Sequence, residues 1–446
     1  MTVRKRSMQR GFHAAYSWCF NTAGLVRGLL RQGQPAQAGG PSVADMSPLA
    51  PHPPGAMPEV PVSTPAPTAT AAGARRFIYI ACPWTPIGGG MFKVADYLIQ
   101  SQARLPGDNP RLRPLDTRGS GSPARSLLVL LSALVKLVRG RASGQLAGVH
   151  VNMAERLSLF RKSSVLVACK ALGLPSVLHL HAAQLHHSYR AFPAPAQALV
   201  RWAFSLPDSV VVLGKTSAEF VMNELKVPPQ RVEIVINGVP EPRAARRTPQ
   251  AVQRVLFVGN LSERKGVSDL LRALAQPALA DVPLVATFAG GGDVAGYRSM
   301  ADRLGLGERV RFEGWADQDQ VAALLAQADV LVLPSYDEGL PLAILEALAH
   351  GVAVVCTPVG EIPHVLSDGL NARFVKPGDA PAIAQGLADV LRDTQLRERL
   401  ERNGRALYEQ RFSMSRFFAS IASVHRRHFG LCGGAAQPRA AQERQP

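Results

Sequence analysis

Cysteine is scarce in this chain, five in 446 residues. Cys19, Cys82, Cys169, Cys356 and Cys432 lie far apart and show no CxxC spacing. That excludes a disulfide framework and a zinc knuckle, and it suits a reducing cytosol. Acidic residues are also few, 33 against 50 Lys and Arg, which leaves a formal net charge of +17. Nucleic acid is the usual partner of such a balance. Here no nucleic-acid module is recognisable, and with aromatics at 6% there is no stacking platform. A dinucleotide fingerprint is missing too: Gly88-Gly89-Gly90-Met91-Phe92-Lys93 lacks the GxGxxG spacing, and no acid ends a second strand about 20 residues on. This disfavours a nicotinamide oxidoreductase. Asp317-Gln318-Asp319 has the Asp-x-Asp form of metal-dependent transferases, but it opens a helix, where N-capping explains it better. No metal is therefore expected.

What is present is apolar content enough for more than one core, 47% over a length that usually holds two or more domains. Residues 33 to 74 are dense in Pro, Ala, Ser and Thr and read as a disordered linker, as does the tail 431–446. Residues 1 to 32 carry Arg4, Lys5, Arg6 and Arg10 ahead of Phe12, Tyr16, Trp18 and Phe20. They make a poor signal peptide and are too short and polar for a membrane span, so a basic amphipathic anchor or an extension without a role remain as readings. The expected division is a leader and linker over 1–74, a domain over 75–245, a second over 246–413 and a returning helix over 414–430. Glu241 to Pro249 would form the hinge.

Both large segments alternate strand and helix. In the first, Phe77 to Cys82, Val149 to Val151, Ser176 to Leu180, Ser209 to Leu213 and Val232 to Ile236 read as strands. In the second, the strands are Arg254 to Val258, Leu284 to Ala289, Val310 to Phe312, Val330 to Leu333 and Ala353 to Cys356. The alternation predicts α/β doubly wound parallel sheets, whose ligands bind beyond the strand ends. At one such end Glu338-Gly339-Leu340-Pro341-Leu342-Ala343-Ile344-Leu345-Glu346 opens an amphipathic helix. Pro341 suits the first helical position, which would leave the N–H groups of Leu342 to Ile344 free to face a phosphorylated ligand. Glu346 could then accept from ribose hydroxyls and Glu338 could meet a projecting hexose; the alternative is two solvated acids favoured by the helix dipole. Lys265 is a cation at another strand end. His181 falls just past the end of Leu178-His179-Leu180, while His179, His186 and His187 read as structural.

These segments resemble the retaining GT-B glycosyltransferases, specifically glycosyltransferase family 4, from about Phe77 to Phe429. Gly259 to Gly266 is similar to the family's Gly-Arg-Leu…Lys-Gly loop, and Glu338 to Glu346 to its Glu-x7-Glu motif. Ala328-Asp329-Val330, Gly360-Glu361-Ile362-Pro363 and Pro377-Gly378-Asp379 also look like family segments. The resemblance implies two Rossmann-like domains facing a cleft, an N-terminal one for the acceptor and a C-terminal one for the donor, and a final helix, Met414 to Phe429, packed on the first. It implies that Lys265 holds the donor diphosphate, Glu346 the ribose, and Glu338 with the amides around Gly339 and Leu340 the sugar. Gly89 and Gly90 would face the phosphates, and His181 would bond the transferred sugar or migrating oxygen. One departure stands out: Asn260 occupies the place of the family's usual arginine, and Arg264 is the neighbour that could substitute.

The implied activity is metal-independent transfer of a hexose, with retention, from a UDP- or GDP-sugar to an acceptor hydroxyl, in cell-surface polysaccharide, exopolysaccharide or lipid-linked oligosaccharide synthesis. No cofactor beyond the co-substrate is expected. The rivals are a GT-B nucleotide-sugar epimerase and a non-catalytic nucleotide-sugar-binding partner. Charge adds a location. Residues 1–245 hold 27 Lys and Arg against 11 acids, residues 246–446 hold 23 against 22, and Leu127 to Val138 is an apolar helix flanked by Arg125, Lys136, Arg139 and Arg141. That suits a cytoplasmic protein peripheral on an anionic membrane face, or a helix packed on its sheet with solvated basic residues.

Overall fold

The structure, a computed structural model, describes residues 76–84, 89–102, 110–155, 157–243 and 251–431. The expectations for the leader and linker, for Gly88, for most of the hinge and for the tail beyond Leu431 lie outside these.

Two six-stranded sheets, each wholly parallel, carry the fold. The first holds β1 (Phe77–Cys82), β2 (Arg111–Asp116), β3 (Leu146–Met153), β4 (Ser176–Leu180), β5 (Ser209–Val212) and β6 (Val232–Ile234), in the order β2-β1-β3-β4-β5-β6. The second holds β7 (Gln253–Val258), β8 (Leu284–Ala289), β9 (Val310–Gly314), β10 (Val330–Leu333), β11 (Ala353–Cys356) and β12 (Arg373–Phe374), in the order β12-β11-β10-β7-β8-β9. Every residue of β3, β4, β5, β10 and β11 is buried. Such continuous runs arise because crossover helices cover both faces of a parallel sheet.

The handedness of the crossovers decides which helix lies where. From β2 through β3 and β4 to β5 the chain moves one way along the sheet, so right-handed crossovers put the Pro123–Ala142, Leu157–Ala171 and Ala194–Ser205 helices on one face. The step back from β1 to β2 sends the Gly90–Ser101 helix to the other. There it packs beside the Met414–His428 helix, which also touches β4. A Cβ on Gly148 would lie 2.5 Å from the Phe429 ring, so β3 needs glycine where the end of this helix crosses it.

Two strands are unexpected, several strand ends shift, most of all in β3, which runs Leu146–Met153 against the expected Val149 to Val151, and the start of one helix moves. The unanticipated β2 is an edge strand in which only Leu112 and Leu115 are buried; at an edge, Pro114 removes no needed ladder bond. Unanticipated β12 is two residues long. Pro341 is the N-cap, not the first helical residue, with φ −67° and ψ 129°. The Ile344 N–H, expected to be free, donates to the Pro341 carbonyl at 3.2 Å.

Candidate active site at the cleft

Glu338 stands in the loop between β10 and the Leu342–Ala349 helix and is buried. A carboxylate taken from water needs partners. Lys265 Nζ and Ser335 Oγ both donate to Oε1, the serine at 2.8 Å. Arg264 lies 3.8 Å from Oε2 and donates to the Asp337 carbonyl at 2.5 Å. Two cations thus meet one anion, and the trio keeps a surplus positive charge at the mouth of a helix N-terminus.

Glycines set this geometry by allowing backbone contact. Gly266, φ +69°, closes the turn that carries Lys265, and a Cβ there would lie 2.2 Å from the Pro334 carbonyl oxygen. A Cβ on Gly290 would lie 1.8 Å from the Gly259 oxygen. The loops after β7 and β8 therefore rest on one another, with Leu261 N donating to the Gly291 carbonyl at 2.7 Å. Asn260 is exposed above this contact, its Oδ1 turned toward Gly291 and Gly292. The arginine beside Glu338 is Arg264, as the local sequence allowed.

Glu346 faces the other domain. Its Oε1 accepts from Lys93 Nζ and from Tyr97 Oη, each at 2.9 Å, one turn apart on the Gly90–Ser101 helix. Burial, reinforced by the Glu346 charge, holds the Tyr97 hydroxyl far above its ordinary pKa, so it remains a donor. A cavity of about 510 Å3 has Glu346, Tyr97, Glu241, Asp319, His350 and Tyr408 among its walls. Volumes of that size hold small ligands. Sequence reasoning placed Glu346 at the site but missed Lys93 and Tyr97; their i, i+4 spacing after the glycine run was the available signal.

Across the cleft, Gly90 faces Leu342, 3.6 Å from a would-be Cβ, and the Gly89 carbonyl accepts from Phe92 and Lys93 N–H at 2.9 and 3.2 Å. Gly339 faces Leu213 and Ala183, at 3.7 and 4.0 Å measured the same way, and Leu340 is buried beside it. This brings the His181–Ala183 segment to the Glu338–Gly339 turn. His187, expected to be structural, reaches to 3.7 Å from Asp337 Oδ2.

His181 is fixed by Asn152, which sequence reasoning did not single out: Nε2 lies 2.8 Å from the Asn152 Oδ1. With Nε2 donating to that carbonyl, Nδ1 is the acceptor nitrogen. Burial, with His150 adding, pushes the His181 pKa down to about 3, so the ring is neutral. Behind it, His179 Nδ1 is 3.2 Å from His150 Nε2, and His150 Nδ1 is 2.9 Å from His425 Nε2. Burial lowers the pKa of all three.

Glu361, which the sequence places in a family-like segment without a role, joins the two domains. It is 1% exposed and accepts from Thr216 N at 3.2 Å, Ser217 N at 2.8 Å and Ser217 Oγ at 2.8 Å. An acid of the second domain thus caps the Lys215–Asn223 helix of the first, where the dipole favours negative charge. Preceding it, Gly360 has φ +60°, and a Cβ there would lie 1.8 Å from the Glu338 carbonyl oxygen. Asp317 forms a capping box with Gln320. Among the described residues no group of three His, Cys, Asp or Glu is placed to hold a metal.

Residues 240–407 match the family described as glycosyl transferases group 1. The chain is 34% identical over 193 residues to D-inositol 3-phosphate glycosyltransferase of Streptomyces coelicolor, covering 41% of this chain and 42% of that protein. It is 35% identical over 171 residues to the lipopolysaccharide core biosynthesis glycosyltransferase LpsE of Rhizobium meliloti, 38% of this chain and 49% of that one. The chain spans about half the length of the curated relatives it matches. Among solved structures, Anabaena HepE in complex with UDP and glucose superposes with a TM-score of 0.62 at 18% identity, over 78% of this chain and 99% of that one. The architecture is GT-B: two Rossmann-like domains facing a cleft.

Proposed function

We propose that this protein is a retaining glycosyltransferase that moves a hexose from a nucleotide diphosphate sugar to an acceptor hydroxyl. The observation that carries the reading is the Lys265–Glu338–Arg264 group, with its surplus positive charge, in the loops that lead to the helix N-terminus met by Gly90 of the facing domain. Every residue of that group lies within the stretch that matches glycosyl transferases group 1. The HepE structure, which holds UDP and glucose, supports UDP as the nucleotide to try first. The lipopolysaccharide relative supports a saccharide acceptor, lipid-linked and used in cell-surface polysaccharide synthesis.

In this reading the arriving diphosphate takes over the Lys265 ammonium, with Arg264 beside it. Release from that ion pair frees the Glu338 carboxylate for donor-sugar hydroxyls. The Leu342–Ala349 dipole and the Gly89–Gly90 segment stabilise charge on the departing phosphate in the role a metal would otherwise fill. His181, neutral, accepts from a sugar hydroxyl through Nδ1. Glu346 exchanges Lys93 or Tyr97 for ribose hydroxyls. No side chain is required as base, because the departing phosphate can take the acceptor proton on the face it leaves.

The test is a thermal-shift series with UDP- and GDP-sugars, since a ligand that binds only the folded chain raises the melting temperature by mass action. A shift is expected with one class. Charge-assisted bonds contribute about 1.5 to 3 kcal/mol each, so Lys265→Ala and Glu346→Ala should each weaken binding by tens of fold. Unchanged affinity in both would refute the assignment, and turnover lost in EDTA but restored by manganese would replace it with a metal mechanism. Binding without turnover of any acceptor would favour the non-catalytic nucleotide-sugar-binding partner, which the Asn260 departure supports.

A further inference from the structure

We propose that the outer face of the first domain, made by its three acid-free crossover helices, docks on an anionic membrane. On the Pro123–Ala142 helix, Leu127, Leu128, Leu131, Val135 and Val138 are exposed, Leu128 by 67%. At 100° per residue they fall within an arc of about 100°, opposite the buried Ala133, Leu137 and Gly140. The next two helices along that face also expose apolar side chains. The neighbouring Leu157–Ala171 helix exposes Leu157 and Phe160, the latter by 60%, and the next, Ala194–Ser205, exposes Trp202 by 48%. The three helices pack side by side in that order on one face of the sheet. Exposed apolar side chains gathered on adjoining helices mark an interaction site.

Charge selects the occupant. None of the three helices contains an aspartate or a glutamate, while Arg125, Lys136, Arg139, Arg141, Arg161, Lys170 and Arg201 lie on them. Arg139 borders the leucine stripe and Lys136 lies further round on the same side, where their stems cover apolar surface while their charges reach outward. A second copy docking by the same face would bring like charges together, and the leader, with Arg4, Lys5, Arg6 and Arg10, is repelled for the same reason. An anionic lipid surface answers both the apolar stripe and its cationic flank. Among the described residues no helix is long and apolar enough to cross a membrane, so attachment is from the side. In parallel crossovers each helix starts at the carboxyl end of a strand, so Leu127, Leu128, Leu157 and Phe160, in the first turns, lie at the cleft end of the domain.

The experiment is sedimentation of the full chain with vesicles of phosphatidylcholine, with and without phosphatidylglycerol. Binding to the anionic vesicles alone, lost as salt rises, is expected. Leu128→Asp with Phe160→Asp should cut the bound fraction at least tenfold at an unchanged melting temperature. Lys136→Glu with Arg139→Glu, which leaves the apolar stripe intact, should weaken binding on the order of fivefold per residue. No binding by the wild type, or equal binding by both variants, overturns the proposal, as does a dimer that the Leu128 and Phe160 changes abolish while vesicle binding persists. None of these substitutions is at a donor-site residue and no turnover is measured, so this proposal and the donor reading fail separately.

Discussion

In the second domain, charge and glycine crowd toward the cleft: Lys265, Arg264 and Glu338 share one cluster, and Gly266, Gly290 and Gly360 press loop against loop. The first domain turns glycines, small side chains and the neutral His181 toward that cleft, where Lys93 is paired to Glu346, and carries cations on its outer helices. Across residues 246–446 the formal charge is nearly balanced, 23 against 22, whereas across 1–245 it is 27 against 11. Recognition of a compact anion needs a matched local arrangement. A diffuse excess spread over helices creates instead a field, which acts on extended surfaces.

Acid should break this comparison most strongly. His150 and His181 have folded pKa values lowered to about 4 and about 3. A depressed histidine is neutral when folded and binds a proton when unfolded, so its contribution is whole above about 6.5 and is lost as pH falls. Each costs up to about 1.4 kcal/mol per pH unit between about 6 and 4. Hydrogen exchange at pH 5 should find the first sheet opening before the second; simultaneous opening would contradict the histidine account. Next in size is a pair of glycines. Gly360→Ala meets the Glu338 oxygen and should cost about 3 kcal/mol in urea unfolding, whereas Gly173→Ala, at φ +60° with open space around it, should cost about 1 kcal/mol. Equal costs would mean that the cleft loops yield. Smallest is Asn260→Arg, which should tighten nucleotide binding several-fold, while Arg264→Ala should loosen it; three equal affinities would place the diphosphate elsewhere.

The buried strands were legible because Val330–Leu333 and Ala353–Cys356 are short apolar runs between turn residues. The edge strand β2 was not, since an edge exposes one side and tolerates proline, so Arg-Leu-Arg-Pro-Leu-Asp shows no period. In the candidate site, Lys265 and Glu338 could be singled out because each stands in a loop beyond a strand end, and Glu346 by its spacing from Glu338. Their partners could not. Lys93 lies 253 residues from Glu346, and Ser217 lies 144 from Glu361. Pairings at that separation are set by how two domains close, which local periodicity does not encode. Asn152 was hidden differently, as a polar residue inside a strand that is buried throughout.

The His150–His425 contact joins residues 275 positions apart. It has a temporal meaning, because a chain is made from its amino end. While the second domain is being synthesised, the first sheet stands without the helix that will cover Gly148 and cap the histidine row. For that interval its apolar face must be sheltered by other means, or wait open. A ribosome stalled late in the second domain, before Met414, would therefore hold a first domain whose sheet is complete in sequence but whose core is still unfinished, and protease sensitivity of such a stalled chain should vanish only once Phe429 is free to dock.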